Sequence, residues 1–297
     1  PYDKVAVLTD MSLEMLPSIL GTLRTGAAYV PIDVAAWSRS RIEATLFELS
    51  SPFALVTTPV PGLALPEFTV HFQKQWLRSP LGTAAELTAQ LAALRRDFKD
   101  DLLSWIIFTS GTTGKPKGVM VYHRAIHALA ISFNHSDYLE STLDKDIRVM
   151  LAFSVAFDAC AAVVWSTLTK GRAIVMASSS SFPEVATTCE VLHLTPSMLA
   201  SLAPSKAYDP AVCIFLGAEA PNIEVIREWA HPDRKIFNTY GPTETTCVIS
   251  LGEIDPNKEP PFGEIVAGAK VVLVDHNLEE CNKGEVLIGG PNLAAGY

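Results

Sequence analysis

The sequence is short of closely spaced cysteine, of basic charge and of long apolar runs, and each shortage excludes a class of protein. Its five cysteines, Cys160, Cys189, Cys213, Cys247 and Cys281, are dispersed, so no CxxC pair and no zinc-finger spacing exists. An odd, scattered set in an acidic chain reads as reduced thiols in a cytoplasmic setting, most of them buried as small hydrophobes. Only 23 Lys and Arg stand against 32 Asp and Glu, a net charge of −9, and the basic residues form no stripe. That balance excludes nucleic acid or an anionic membrane surface as the main partner, although a local site could still hold a small anion. The longest strictly apolar run, 159–165, is far too short to span a bilayer. No basic and apolar leader opens the sequence. Low complexity is confined to the serines 178–181, and no internal repeat is visible. What remains is 297 residues, 48% hydrophobic and 19% charged, enough for one large domain or two packed ones.

Short β-rich runs alternate with helical patterns along most of the chain. VAVLT (5–9), YVPID (29–33), FALVTT (53–58), FTVHF (68–72) and WIIF (105–108) read as strands. So do 147–153, 172–177, 191–195 and 212–217. Helical spacing covers 13–23, where Pro17 marks a first turn or a kink, then the stretch bearing Ile42, Leu46 and Leu49. It returns in 84–97, through Leu87, Leu91 and Leu94, and again from His123, which reads as a helix cap. This rhythm predicts an α/β fold with mostly parallel sheets. From Val248 onward the pattern turns to β, with AKVVLVD (269–275) and GEVLIGG (284–290). The expected organisation is therefore two layered α/β subdomains over 1–247 and a small β-rich lobe over 248–297.

Chemistry is concentrated in two segments. Directly after WIIFT comes SGTTGKPKG (110–118), three glycines with hydroxyl residues and two lysines in nine positions. Small residues let backbone N–H groups turn towards an anion, hydroxyls add donors, and lysines add charge. The segment reads as a phosphate-wrapping loop. It is not a Walker A sequence, because Pro116 follows Lys115 where Ser or Thr would be needed. The second segment is FNTYGPTETT (237–246). Its tyrosine beside a glycine offers a flat ring with room for a purine, and Glu244 offers a hard oxygen for Mg²⁺.

Together with TGAAYVPID (25–33), AFDAC (156–160) and GEVLIGGPNLAAGY (284–297), these segments resemble the successive core motifs of adenylate-forming enzymes. The branch they resemble is the amino-acid adenylation domain of nonribosomal peptide synthetases. The resemblance covers nearly the whole chain, in family order. It implies a ligase with a two-step reaction in secondary metabolite biosynthesis: an amino acid and ATP give an aminoacyl-adenylate, then the acyl group passes to a carrier-protein phosphopantetheine thiol. Implied roles follow by motif. Thr109, Ser110, Gly111, Thr112, Thr113, Gly114 and Lys117 would surround the β- and γ-phosphates. Asn238 and Thr239 would read the adenine edge and Tyr240 would stack on it, with Gly241 beside it leaving room, and Gly217 belongs to the same expected nucleotide-binding set. Thr243 would contact the α-phosphate and Glu244 would bind Mg²⁺; with Lys117 these form the expected catalytic set.

Asp158 sets the expected substrate class. In the family the matching aspartate pairs with the substrate's α-ammonium group, and a carboxylate inside VAFDACAAVVW is costly unless it meets a cation. The competing reading is Asp158 as a plain N-cap of the next helix. Cys160 departs from the family's usual serine. Further pocket positions implied by the neighbouring motifs are Ala159, Ala162, His193, Ile214, Leu216, Thr239, Cys247 and Val248. Small residues leave depth and apolar walls surround it, so a hydrophobic, fairly large side chain is expected. His193 either meets a polar substrate tip or is a satisfied core histidine. The family's ribose-binding aspartate motif, hinge and lysine-bearing mobile C-terminal domain do not occur in these 297 residues, so the segment is expected to turn over poorly alone. Two alternatives stand beside this reading. One is an acyl- or aryl-CoA ligase, the other a non-catalytic nucleotide-binding fragment.

Overall fold

The alternation of apolar runs and amphipathic stretches becomes two separate sheets. A computed structural model describes residues 3–78, 101–109, 116–132 and 147–297, with isolated positions between 82 and 92. Within these the chain divides into two compact units. The first comprises Pro1–Arg124, Ser154–Ala156 and Ala295–Tyr297, the second Ala125–Phe153 and Phe157–Ala294. The helix expected over 84–97 lies largely outside the described residues, as does the loop 110–115.

In the first unit, β1 (Lys4–Thr9), β2 (Ala28–Asp33), β3 (Phe53–Val56), β4 (Phe68–His71), β5 (Leu103–Thr109) and β6 (Lys117–Tyr122) form one sheet, in the order β4-β3-β1-β2-β5-β6. All neighbours are parallel except β6, which returns antiparallel to β5. Parallel strands covered on both faces need continuous apolar runs, and β2 is buried at all six positions. Two helices, α1 (Met15–Arg24) and α2 (Arg39–Leu49), flank it. Pro17 sits in the first turn of α1, where the backbone N–H it lacks has no helical partner. Ser38 caps α2 by accepting a hydrogen bond from the Arg41 N–H.

The second unit carries β7 (Arg148–Leu151), β8 (Ala173–Met176), β9 (Val191–Leu194), β10 (Cys213–Leu216), β11 (Lys235–Tyr240), β12 (Ser250–Glu253) and β13 (Glu264–Ile265). Their order is β13-β12-β11-β10-β9-β7-β8, parallel from β8 through β11 and antiparallel thereafter. β14 (Lys270–Val274) and β15 (Glu285–Gly289) pair only with each other among the described strands. The helices are α3 (His123–Ser132), which opens at His123 and runs across the division between units, α4 (Asp158–Leu168), α5 (Phe182–Ala186), α6 (Pro196–Ala200) and α7 (Ile223–Trp229).

Strand parity decides what the second sheet offers to each side. Leu192, Leu194, Ile214, Leu216 and Ile236 join Leu199 and Trp229 in one core cluster. The alternate positions, His193, Phe215 and Phe237, stand level on neighbouring strands and stack in a row. Among the described residues, no helix is long and apolar enough to cross a membrane.

All five cysteines are free; Cys160, Cys189, Cys213 and Cys247 are buried and only Cys281 is partly exposed. Burial pushes the Cys189, Cys213 and Cys247 thiols above their ordinary range, so little thiolate forms at neutral pH. Iodoacetamide at pH 7.5 is expected to label Cys281 alone in the folded protein, read by peptide mass spectrometry. Equal labelling at Cys247 would contradict this packing.

Candidate active site

The carboxyl ends of β9, β10 and β11 meet the N-terminus of α4 around a cavity of about 240 Å³, lined entirely by second-unit residues. Such ends are where open α/β sheets hold ligands. Of the expected substrate-binding set, Asp158, Ala159, Ala162, His193, Thr239, Cys247 and Val248 line this cavity.

Ile214 and Leu216 do not. Both are fully buried in the opposite core, and Phe215 and Gly217 take the cavity side. The expectation was displaced by one residue, and a one-residue slip along a strand reverses every side chain. Phe153 and Phe157, set edge to face with ring centroids 5.6 Å apart, complete the aromatic wall and were also missed. Their signal was present in AFSVAFDAC, where both phenylalanines precede the acid, one of them directly. Ile214→Ala is expected to cost about 2–5 kcal/mol of stability in a denaturant melt and to leave substrate preference unchanged. Phe215→Ala, by contrast, should change the preference.

Asp158 is the first residue of α4, 5% exposed. Its side chain is not the helix cap, since Phe157 occupies that position with extended backbone. Burial drives its carboxyl above the usual carboxylate range, against hydrogen bonds from the Thr243 hydroxyl and the Ala159 and Asp158 backbone; the nearby Glu244 carboxylate pushes it further up. No Lys or Arg is among the described residues lining the cavity. The helix N-terminus offsets part of the cost of the charge.

Beside the cavity, an open groove of about 600 Å³ is lined by Ala218, Pro221, Asn238, Tyr240, Pro261 and Phe262, among others. Tyr240 is 45% exposed, its ring 5.2 Å from that of Phe262. The Asn238 Nδ2 donates to the Pro261 carbonyl (2.8 Å), and the Thr239 hydroxyl donates to the Leu216 carbonyl (2.9 Å). Thr239 thus spends its proton on the sheet. Gly217 is required by this arrangement, because a Cβ there would lie 2.5 Å from the Thr239 Oγ1.

Thr243 and Glu244 ride on a 3-10 turn, Thr243–Thr245, that ends in two consecutive left-handed residues, Thr246 (φ 59°) and Cys247 (φ 77°). Left-handed backbone is costly for a β-branched residue and persists only where surroundings hold it. Here the Thr246 hydroxyl donates to the Asn292 carbonyl (2.6 Å), the Asn292 Nδ2 to the Thr245 carbonyl (3.2 Å), and the Ala294 N–H to the Glu244 carbonyl (2.8 Å). Asn292 was not singled out in the sequence; its motif registered only as part of the resemblance.

Thr109 and Lys117 belong to the first unit, where they pair across β5 and β6. The Lys117 Nζ lies 4.9 Å from the Tyr297 ring centroid. Ser110, Gly111, Thr112, Thr113 and Gly114 lie outside the described residues. No group of three or more His, Cys, Asp or Glu that could hold a metal occurs among the described residues. A single carboxylate such as Glu244 suits Mg²⁺, which commonly takes its remaining oxygens from phosphates and water.

A model of the AMP-binding enzyme family matches residues 1–297. The chain belongs to that family. Among its relatives, this AMP-binding enzyme is 41% identical over 299 residues to the nonribosomal peptide synthetase sirP of Leptosphaeria maculans, covering 99% of this chain and 14% of sirP. It is 36% identical over 298 residues to the nonribosomal peptide synthetase hasD of Aspergillus fumigatus, covering 99% of this chain and 13% of hasD. The chain therefore spans about a seventh of the length of such relatives. Solved structures share its α/β fold. PA1221, a nonribosomal peptide synthetase protein containing adenylation and PCP domains, matches with a TM-score of 0.82 at 24% identity, over 100% of this chain and 52% of PA1221. The N-terminal subdomain of Klebsiella oxytoca NpsA, in complex with 3-hydroxybenzoyl-AMSN, gives 0.77 at 20%, over 100% and 76%.

Proposed function

We propose that this AMP-binding enzyme activates an α-amino acid with ATP for transfer to a carrier-protein phosphopantetheine thiol, within a nonribosomal peptide synthetase. The observation that carries the reading is Asp158, a carboxylate buried at a helix N-terminus in a largely apolar cavity with no Lys or Arg among its described lining residues. An α-ammonium group is the cation that would complete it. In the reaction, a substrate carboxylate oxygen attacks the α-phosphorus of ATP and the bond to the β-phosphate breaks, releasing pyrophosphate. The carrier thiol then attacks the acyl carbon, losing its proton, and AMP leaves.

The chain's own contribution is positioning and charge stabilisation. Asp158 anchors the ammonium group. Thr243, which lines the same cavity as Asp158, is assigned to the α-phosphate, and Tyr240 with its exposed ring to the adenine. Glu244 would hold Mg²⁺, whose chemistry when bound is to neutralise charge on the phosphates. Thr109, Lys117 and the loop between them are assigned to the β- and γ-phosphates on sequence pattern alone. A cytoplasmic location accompanies the reading, because ATP and a reduced carrier thiol are supplied there. Hydroxamate trapping on the full-length protein tests it, using a panel of amino, keto, aryl and fatty acids. Hydroxamate from one or a few amino acids is expected. Product only from acids without an α-amine would favour the CoA-ligase reading instead.

A further inference from the structure

The 3-10 turn and the residues after it direct their backbone hydrogen bonds two ways. The Thr245, Thr246 and Cys247 N–H groups donate back to the Pro242 and Thr243 carbonyls, at 2.9, 3.1 and 3.3 Å. The outward ties all go to one short stretch, 292–294, which follows β15. There the Ala294 N–H donates to the Glu244 carbonyl, the Asn292 Nδ2 donates to the Thr245 carbonyl, and the Asn292 carbonyl accepts from the Thr246 hydroxyl. Glu244, Thr245 and Thr246 are thus each tied once to 292–294, and two of those ties run through Asn292.

Asn292 stands there at a cost to stability. It is buried, and its Oδ1 has no hydrogen-bond partner among the described residues, which is destabilising for an acceptor. Thr246 adds a second cost, because a β-branched side chain resists left-handed backbone, and Cys247 repeats that conformation. Both costs fall on the turn that carries Thr243 and Glu244, the residues assigned to the α-phosphate and Mg²⁺. Departures from local preference that coincide in this way mark a functional site. The internal bonds alone leave the turn free to rotate as a unit about Pro242, and the ties to 292–294 remove that freedom. Asp158, by contrast, sits on α4 and takes none of these ties.

We infer that Asn292 is a positioning residue for adenylate formation, fixing the backbone of Thr243 and Glu244 through Thr245 and Thr246 for the reaction at the α-phosphate. The inference rests on the adenylation reading and deepens it. A group held within a fraction of an ångström by its supporting residues loses rate steeply when that support is removed. The loss should fall on the chemical step more than on amino-acid binding, because the ammonium anchor lies on a different element.

The test compares Asn292→Ala, Thr246→Val and Thr246→Ser with the wild type in the full-length protein. It reads kcat and KM for amino-acid-dependent ATP–pyrophosphate exchange, the Kd of AMP by calorimetry, and Tm. Asn292→Ala is expected to lower kcat by about 100-fold and to weaken AMP binding by about 10-fold. The amino-acid KM should change by less than about 5-fold, and Tm should stay within about 4 °C, because the lost bond is offset in part by removal of the unpaired acceptor. Thr246→Val, which deletes the hydroxyl and keeps the shape, should behave like Asn292→Ala. Thr246→Ser, which keeps the hydroxyl, should remain within about 5-fold of the wild type. Unchanged kcat in Asn292→Ala, or a loss carried by KM alone, would overturn the inference. So would a fall in kcat that tracks a fall in Tm across the variants, as a purely structural role requires. If Asn292→Ala does not fold, the Thr246 pair decides: an impaired valine variant beside an active serine variant supports the inference, and equal rates overturn it. Wild-type exchange only with acids lacking an amine would defeat the α-amino-acid reading, and the variants assayed on such an acid would still decide the role of Asn292. Exchange with no acid at all would defeat both.

Discussion

Asp158→Asn is expected to stabilise the ligand-free protein while removing most of its activity. In the absence of substrate the ionised carboxylate is buried among apolar side chains, and burial raises its pKa. A group whose folded pKa is raised contributes its full stability below the unfolded value, near pH 4, and loses it as pH rises through the folded pKa. The ionised wild type therefore carries a penalty at neutral pH that the neutral amide does not. The variant should gain about 1–3 kcal/mol there, some 2–4 °C in Tm per kcal/mol for a domain of this size. The gap between the two melting curves should be small at pH 4 and widen towards pH 8. With substrate the sign reverses, because an ammonium group favours the charged carboxylate. Removing one partner of a buried charge pair costs about 2–5 kcal/mol, which is roughly 30-fold to several thousand-fold in kcat/KM. A variant that loses stability and activity together would point to Asp158 as a structural residue.

Gly241→Ala should be the most damaging small substitution in the adenine motif. A Cβ at this position would lie 2.5 Å from the Cys247 carbonyl oxygen, 2.8 Å from its carbon and 2.9 Å from the Val248 Cα. All three are backbone atoms, and the turn they belong to is tied to Asn292 on its other side. It has no flexible side chain to move aside. Forcing it outward is expected to cost about 1–3 kcal/mol of stability. Because Thr243, Glu244 and the cavity residues Cys247 and Val248 shift with it, activity should fall by about 100-fold, the scale of an ångström misplacement near the chemistry. Gly21→Ala is the control. Gly21 lies in α1 with nothing within 4 Å of the added carbon, and alanine there should stabilise by roughly 0.5–1 kcal/mol. Thermal melts and steady-state rates on both variants separate crowding at the site from a general intolerance of alanine.

The α/β class and the parallel strands were legible in the sequence because apolar runs bounded by turn residues have few other uses. Asp158 was legible for the opposite reason. An acid within VAFDACAAVVW breaks the pattern, and broken patterns mark sites. The side of β10 that faces the cavity was not legible. In CIFL every residue is apolar, since both faces of a central parallel strand are buried, and so alternation gives no sign of which face is which. Only the neighbouring strands settle it, by placing Phe215 level with His193 and Phe237. Asn292 was hidden differently. It acts on Thr245 and Thr246 from more than forty positions away, a distance over which no local pattern carries information.

The central claim is that this cavity selects its acid through a charge pair with an α-ammonium group. ATP–pyrophosphate exchange by the full-length protein measures it most directly, using the preferred amino acid and its des-amino analogue with the same side chain. The wild type should exchange with the amino acid and show little or no exchange with the analogue, and Asp158→Asn should narrow that difference. Equal exchange with both in the wild type would contradict the account.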